Sequence, residues 1–144
     1  MTKIAYASLL VFCLIGTLAD GFASAATLAG MFQAKNLIAY AIVIPAGFII
    51  TGLGVATKLV WVPDSPITLK GIWLVAIIVD AYTTVVAIIW YIIAGMPMGT
   101  AIDFSVLQYD PSRWDQTILA FMLTGIVTGS SVSTIYIYDK VTRV

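Results

Sequence analysis

Hydrophobic residues in this chain fall in long blocks rather than in alternation with polar ones. They dominate positions 4–32, 37–62, 71–94 and 111–138, and short polar clusters separate the blocks. A helix needs about 20 mostly apolar residues to cross a hydrocarbon core roughly 30 Å thick. Each block meets that length. The pattern therefore predicts four transmembrane helices over those ranges, in an all-α integral membrane four-helix bundle forming a single domain over residues 1–144.

The breaks between blocks carry helix-ending chemistry. The first block stops at Gln33, Ala34, Lys35 and Asn36, the second at Pro63, Asp64, Ser65 and Pro66, and the third at Gly95, Met96 and Pro97. Glycine and proline end helices because one favours left-handed backbone and the other lacks an amide donor. The longest loop follows, from Met98 to Tyr109. Asp110 then suits an N-cap and Pro111 the first helical position. Pro45 lies inside the second block, where a membrane helix tolerates it. Trp61, Trp73, Trp90, Tyr91, Trp114, Tyr136 and Tyr138 fall near predicted helix ends, as interfacial anchors do.

The first block also has features of a signal peptide, with Lys3 ahead of an apolar stretch and Ala23, Ser24, Ala25 as a cleavage-like triplet. It matches a later span that is no signal, and it is read as a retained helix. With four crossings, Lys3, Lys58, Lys70, Lys140 and Arg143 share one side of the membrane, and Lys35 and Arg113 the other. The excess of basic residues predicts both termini in the cytoplasm.

Two local similarities recur in the same order. Asp20, Gly21, Phe22, Ala23, Ser24 matches Asp80, Ala81, Tyr82, Thr83, Thr84: an acid, a small residue, an aromatic, any residue and a hydroxyl. In the following helices Thr51, Gly52, Val55 and Thr57 match Thr128, Gly129, Val132 and Thr134 in spacing. The chain reads as two tandem helical hairpins in the same orientation, a parallel internal repeat.

Composition narrows the function. The chain is 61% hydrophobic and 10% charged, with no net charge and a mean hydropathy of +1.05. No basic run attracts nucleic acid, so the expected partners are the lipid bilayer and other membrane subunits or copies of the chain. Histidine is absent and Cys13 stands alone, which removes histidine-ligated haem, most zinc sites and disulfides; no cofactor and no metal is expected. Cys13 reads as a small buried hydrophobe.

The residues left to carry chemistry lie within the spans. An aspartate at the centre of a membrane helix costs roughly 2.5–3.5 kcal/mol to insert, so Asp20 and Asp80 should face protein or water. Helical spacing puts Ser24 and Thr27 on the stripe of Asp20, and Thr83 and Thr84 near Asp80, while Thr128 and Ser131 add hydroxyls from the fourth helix. No lysine or arginine is central in any span. One reading is a proton or small-cation path lined by hard oxygen ligands; the other is a set of protonated acids that clamp helices by hydrogen bonds. Gly125 and Gly129 form a small-xxx-small pattern for helix packing, within the chain or between chains.

Three functions follow from these features. The first is a noncatalytic subunit of a membrane complex or homo-oligomer, and the second a proton or small-cation channel or transporter using Asp20 and Asp80. The third, an enzyme acting on lipid or quinone, lacks a second catalytic group: Ser130, Ser131 and Ser133 have no histidine to activate them. Asp103, Asp110 and Asp115 read as loop and capping residues.

Overall fold

In a computed structural model, which describes residues 2–107 and 111–143, the chain is all α-helical. Its elements are α1 (Lys3–Met31), α2 (Leu37–Val55), the short α3 (Thr57–Val60), α4 (Ile67–Ala87, continued by a π-helical turn Ile88–Ile93) and α5 (Trp114–Thr142). Lys3–Met31, Leu37–Val55, Ile67–Ile93 and Trp114–Thr142 are each long and apolar enough to cross a membrane. They pack as a four-helix bundle in which α1 contacts α2, α4 and α5.

Local chemistry sets the helix ends. Thr2 caps α1 by accepting from the Ala5 amide, and Asn36 caps α2 by accepting from the Ala39 amide at 2.9 Å, each satisfying a donor that has no partner inside its helix. The second span is not continuous to position 62. It breaks at Ala56, where the Thr57 hydroxyl donates back to the Gly54 carbonyl, and resumes as α3.

The third span begins at Ile67, four residues before the apolar block suggests. Lys70 does not delay it, because its long side chain reaches out over the Trp61 ring, 5.6 Å from the centroid. The fourth starts later than expected: Pro111–Arg113 form a 3-10 turn and α5 opens at Trp114. The capping role read for Asp110 lies outside the described residues. At its far end α5 runs on to Thr142, where Asp139 pairs with both Lys58 and Arg143.

The bundle is apolar outside and polar inside. Phe12, Phe22, Ile42, Phe121, Met122 and Ile126 project outward, while the largest side chains in full burial are Val86, Thr27, Thr51, Thr84, Asp20, Asp80, Ser24 and Ser131. In lipid no hydrophobic force draws helices together, so contact surfaces are built from small residues and interhelical hydrogen bonds. α2 shows this plainly, with Val43, Gly47, Thr51 and Gly54 as its buried face. Gly47 lies against the Ala25 backbone of α1, leaving no space for a side chain.

Gly125 and Gly129 hold a different position. Both are exposed, with open space where a Cβ would stand, so the close approaches inside this bundle fall on Gly16, Gly21, Gly30 and Gly47 instead. Trp90, three residues from the end of the third span, turns into the bundle. It is buried, within the π-helical turn that closes α4, and a π turn adds a residue to the helical repeat and so changes which face a side chain takes.

Candidate intramembrane polar site

The stripes of four helices converge on two carboxyl groups. Asp20 follows Cys13 and Thr17 on α1 and precedes Ser24 and Thr27, a series spaced by three and four residues that occupies one face. Asp80 lies 13 residues from Ile67 and 13 from Ile93. At roughly 1.5 Å per residue that is about 20 Å from each end, the middle of its span. Both aspartates are wholly buried.

Hydroxyls surround them. Thr84 Oγ1 donates to Asp20 Oδ1 at 2.6 Å, Thr128 Oγ1 approaches the same oxygen at 3.5 Å, and Ser131 Oγ donates to Asp20 Oδ2 at 2.9 Å. Ser24 Oγ and Thr51 Oγ1 each donate to Asp80 Oδ1 at 3.0 Å. Thr83 Oγ1 lies 2.8 Å from Ser24 Oγ and donates to the Asp80 carbonyl at 2.9 Å, and Thr27 donates to the Thr83 carbonyl. The eight polar residues singled out in the sequence, Asp20, Ser24, Thr27, Asp80, Thr83, Thr84, Thr128 and Ser131, thus meet in one cluster. Thr51 is the addition that sequence reasoning left out.

The hydrogen bonds are exchanged between helices in a reciprocal way. Ser24, one turn after Asp20, serves Asp80; Thr84, one turn after Asp80, serves Asp20. Likewise Thr51 of the second span reaches Asp80 of the third, and Thr128 of the fourth reaches Asp20 of the first. Because each acid is bonded by the hydroxyl one turn beyond the other, the two carboxyl groups share one centre. Asp80 Oδ2 is buried and receives no hydrogen bond from any hydroxyl or amide.

Further hydroxyls extend the cluster along the bundle axis. On α5, Thr124, Thr128, Ser131 and Thr134 are all buried, and Thr134 meets Thr17 of α1 at 3.1 Å. From Thr124 to Thr134 this file covers about 15 Å of helix. The end of the bundle where α1 begins and α5 ends carries charge and aromatic rings: Lys58 paired with Asp139, Trp61 edge-on to Trp73, and Trp73 Nε1 donating to Thr57 Oγ1 at 3.0 Å. At the opposite end Tyr91 donates to the Ala26 carbonyl at 2.8 Å, and Trp90 Nε1 is buried without a partner.

The ion pairs seen among the described residues join Lys58 and Arg143 to Asp139 at the bundle's end, not to the central acids. An ionised carboxylate in a medium of low dielectric needs compensation by a counter-charge, a proton or converging donors. Hydroxyl donors supply it for Asp20 and for half of Asp80. A separate groove of about 560 Å³ lies on the outer face, lined by Leu28, Phe32, Ala39, Ile42, Val43, Ala46, Ile49 and Ile50. It is wholly apolar, with no acid or base for chemistry on a lipid or quinone.

Fold and site together define a four-span helical membrane protein with a paired-aspartate core. Comparison with protein-family models, curated proteins and solved structures finds no match to the chain.

Proposed function

We propose that this chain moves protons or small cations across the membrane, with Asp20 and Asp80 as the binding site at mid-depth. The observation that carries this reading is the convergence of both intramembrane acids, from different helices, on one hydroxyl-rich centre with a carboxylate oxygen left over. A pair of acids placed only to clamp helices has no need to be adjacent, since each carries the insertion cost and each repels the other when ionised. The buried hydroxyls from Thr134 to Thr124 continue the polar lining on either side of the pair.

The reciprocal hydrogen bonds support the tandem-hairpin reading of the sequence, in which the two acids are equivalent members of one repeat. They also give the site its symmetry: whatever ion one acid holds, the other faces. The prediction that both termini are cytoplasmic places the Lys58–Asp139 end on that side.

The test is flux in liposomes reconstituted with the purified chain. Wild type should dissipate an imposed proton or monovalent-cation gradient, and Asp20→Asn and Asp80→Asn should each abolish that dissipation, with Asp103→Asn unchanged. Wild-type liposomes no leakier than empty ones, or asparagine variants as active as wild type, would refute transport.

A second reading, a noncatalytic subunit that assembles laterally, draws on the outward stripe of α5. Gly125 and Gly129 are exposed, and Ser133 continues their four-residue spacing, the geometry in which helices from separate chains approach closely in lipid. Gly129→Leu should then shift the chain from an oligomer to a monomer in mild detergent. A wild-type chain that is already monomeric and copurifies with no companion contradicts this reading.

A further inference from the structure

We infer that Asp20 and Asp80 hold a single proton between them, carried on Asp80 Oδ2 and donated to a carboxylate oxygen of Asp20, and that this proton, not a metal cation, is the occupant of the site. The inference deepens the transport reading above by naming its ion, and rests on that reading only for the use made of the proton.

The argument is a count of donors and acceptors. Asp20 accepts on both oxygens, from Thr84 on Oδ1 and from Ser131 on Oδ2. The Thr84 contact, at 2.6 Å, has the length of a hydroxyl donating to an ionised carboxylate. A proton on Asp20 would compete with one of these donors for the same oxygen. Asp80 accepts twice on Oδ1, from Ser24 and Thr51, and not at all on the buried Oδ2. A proton on Oδ2 turns an unsatisfied acceptor into a donor, and the Asp20 carboxylate, held in the same centre by the Ser24 and Thr84 crossings, is the charged acceptor within that centre. Two adjacent carboxyl groups that cannot both ionise share one proton in this way.

A metal cation would compete for the same place. A hard cation asks for about six oxygens whose lone pairs point inward, and it would have to take the buried Asp80 Oδ2 that the proton occupies, so the two occupants exclude one another at that atom. Among the described residues, the side chains that the neighbouring elements bond to the pair are uncharged hydroxyls: α2 supplies Thr51 and α5 supplies Thr128 and Ser131.

The experiment is infrared spectroscopy of the full chain, labelled with carbon-13 aspartate, in lipid nanodiscs at neutral pH. The expected result is one protonated carboxyl carbonyl band per chain, unmoved when sodium, lithium or potassium is exchanged for a bulky organic cation. Asp80→Asn should remove the band, since the amide takes over donation to Asp20, and Asp20→Asn should retain it. No protonated band in wild type, two bands, loss of the band on adding an alkali cation, or its loss in Asp20→Asn but not Asp80→Asn would each overturn the assignment. Wild type alone decides the first three, so a variant that fails to fold does not leave the question open. The band reports occupancy and the liposome assay reports movement: a band without flux defeats transport and leaves the shared proton standing, whereas cation flux with the band displaced defeats the proton.

Discussion

Replacing Gly47 with alanine isolates the contact that brings α2 close enough to α1 for the site to form. A Cβ at position 47 would collide with the backbone nitrogen and Cα of Ala25 and stand 2.8 Å from its Cβ. Carbon atoms pack at about 3.5–4.0 Å, so the two helices must separate by roughly 1 Å. Neither side of the contact is a flexible side chain that can swing away. Overpacking of this kind costs about 1–3 kcal/mol, while alanine regains about 0.8–1.0 kcal/mol of helix propensity over glycine. Gly52 and Gly129 have open space at the same point and carry only the propensity gain. Comparing Gly47→Ala with Gly52→Ala therefore cancels propensity and leaves the steric cost, about 1–3 kcal/mol. Reversible unfolding in mixed micelles, followed by tryptophan fluorescence, measures it. Thr51 lies one turn along the same face and Ser24 adjoins Ala25, so the separation also stretches the two hydrogen bonds to Asp80 Oδ1. If the alanine variants at 47 and 52 differ by less than about 0.5 kcal/mol, no close contact exists at Gly47.

Other expectations are more local. Thr84→Val removes the shortest donor to Asp20 and should cost about 0.6–1.7 kcal/mol, the range of interhelical hydrogen bonds in membranes, with Thr84→Ser recovering most of it in the same unfolding assay; equal stability of the two variants would rule out the hydroxyl contribution. Lys58→Met breaks a partly exposed ion pair and should cost no more than about 1 kcal/mol. In the loop outside the spans, the Ser105 hydroxyl and amide hold the Asp103 carboxyl below its ordinary range. Its contribution to the loop is present above the unfolded value of about 3.9 and lost as pH falls through the lower folded value. The carbon-13 shift of that carboxyl should titrate below a free aspartate, and a midpoint at or above that of the free side chain refutes the turn.

The four spans were legible because the lipid requirement is written into block length, which needs no knowledge of packing. Their ends were less so. Lys70 reads as a boundary although its side chain reaches the Trp61 ring from within α4, and the π turn around Trp90 has no signature in the apolar run Ile88–Ile93. Helical spacing placed hydroxyls on the stripes of Asp20 and Asp80, but which stripes meet is decided by the packing of the helices. Thr51 was missed because it is a lone hydroxyl in an otherwise apolar stretch, although its match to Thr128 marked it. The small-residue motif most visible by spacing, Gly125 and Gly129, faces outward. The buried stripe Gly47, Thr51 and Gly54 had the same periodicity but mixed residue types.

Because this core is polar, the atoms that hold the bundle are the atoms that would handle an ion, and loss of activity in a variant does not by itself separate the two roles. The substitution Asp80→Asn does. Its side-chain amide would keep an oxygen for Ser24 and Thr51 and put an N–H donor where the shared proton sits, so every interhelical bond of the protonated acid survives. Interhelical hydrogen bonds in membranes average about 0.6 kcal/mol, and a preserved set predicts a loss of stability under about 1 kcal/mol. An amide, however, releases no proton at neutral pH. A clamp therefore predicts an Asp80→Asn chain that is stable and unchanged in every respect, and a proton site predicts one that is stable and silent in the flux assay. A stable variant with wild-type flux would reduce the aspartate pair to a device for holding helices together.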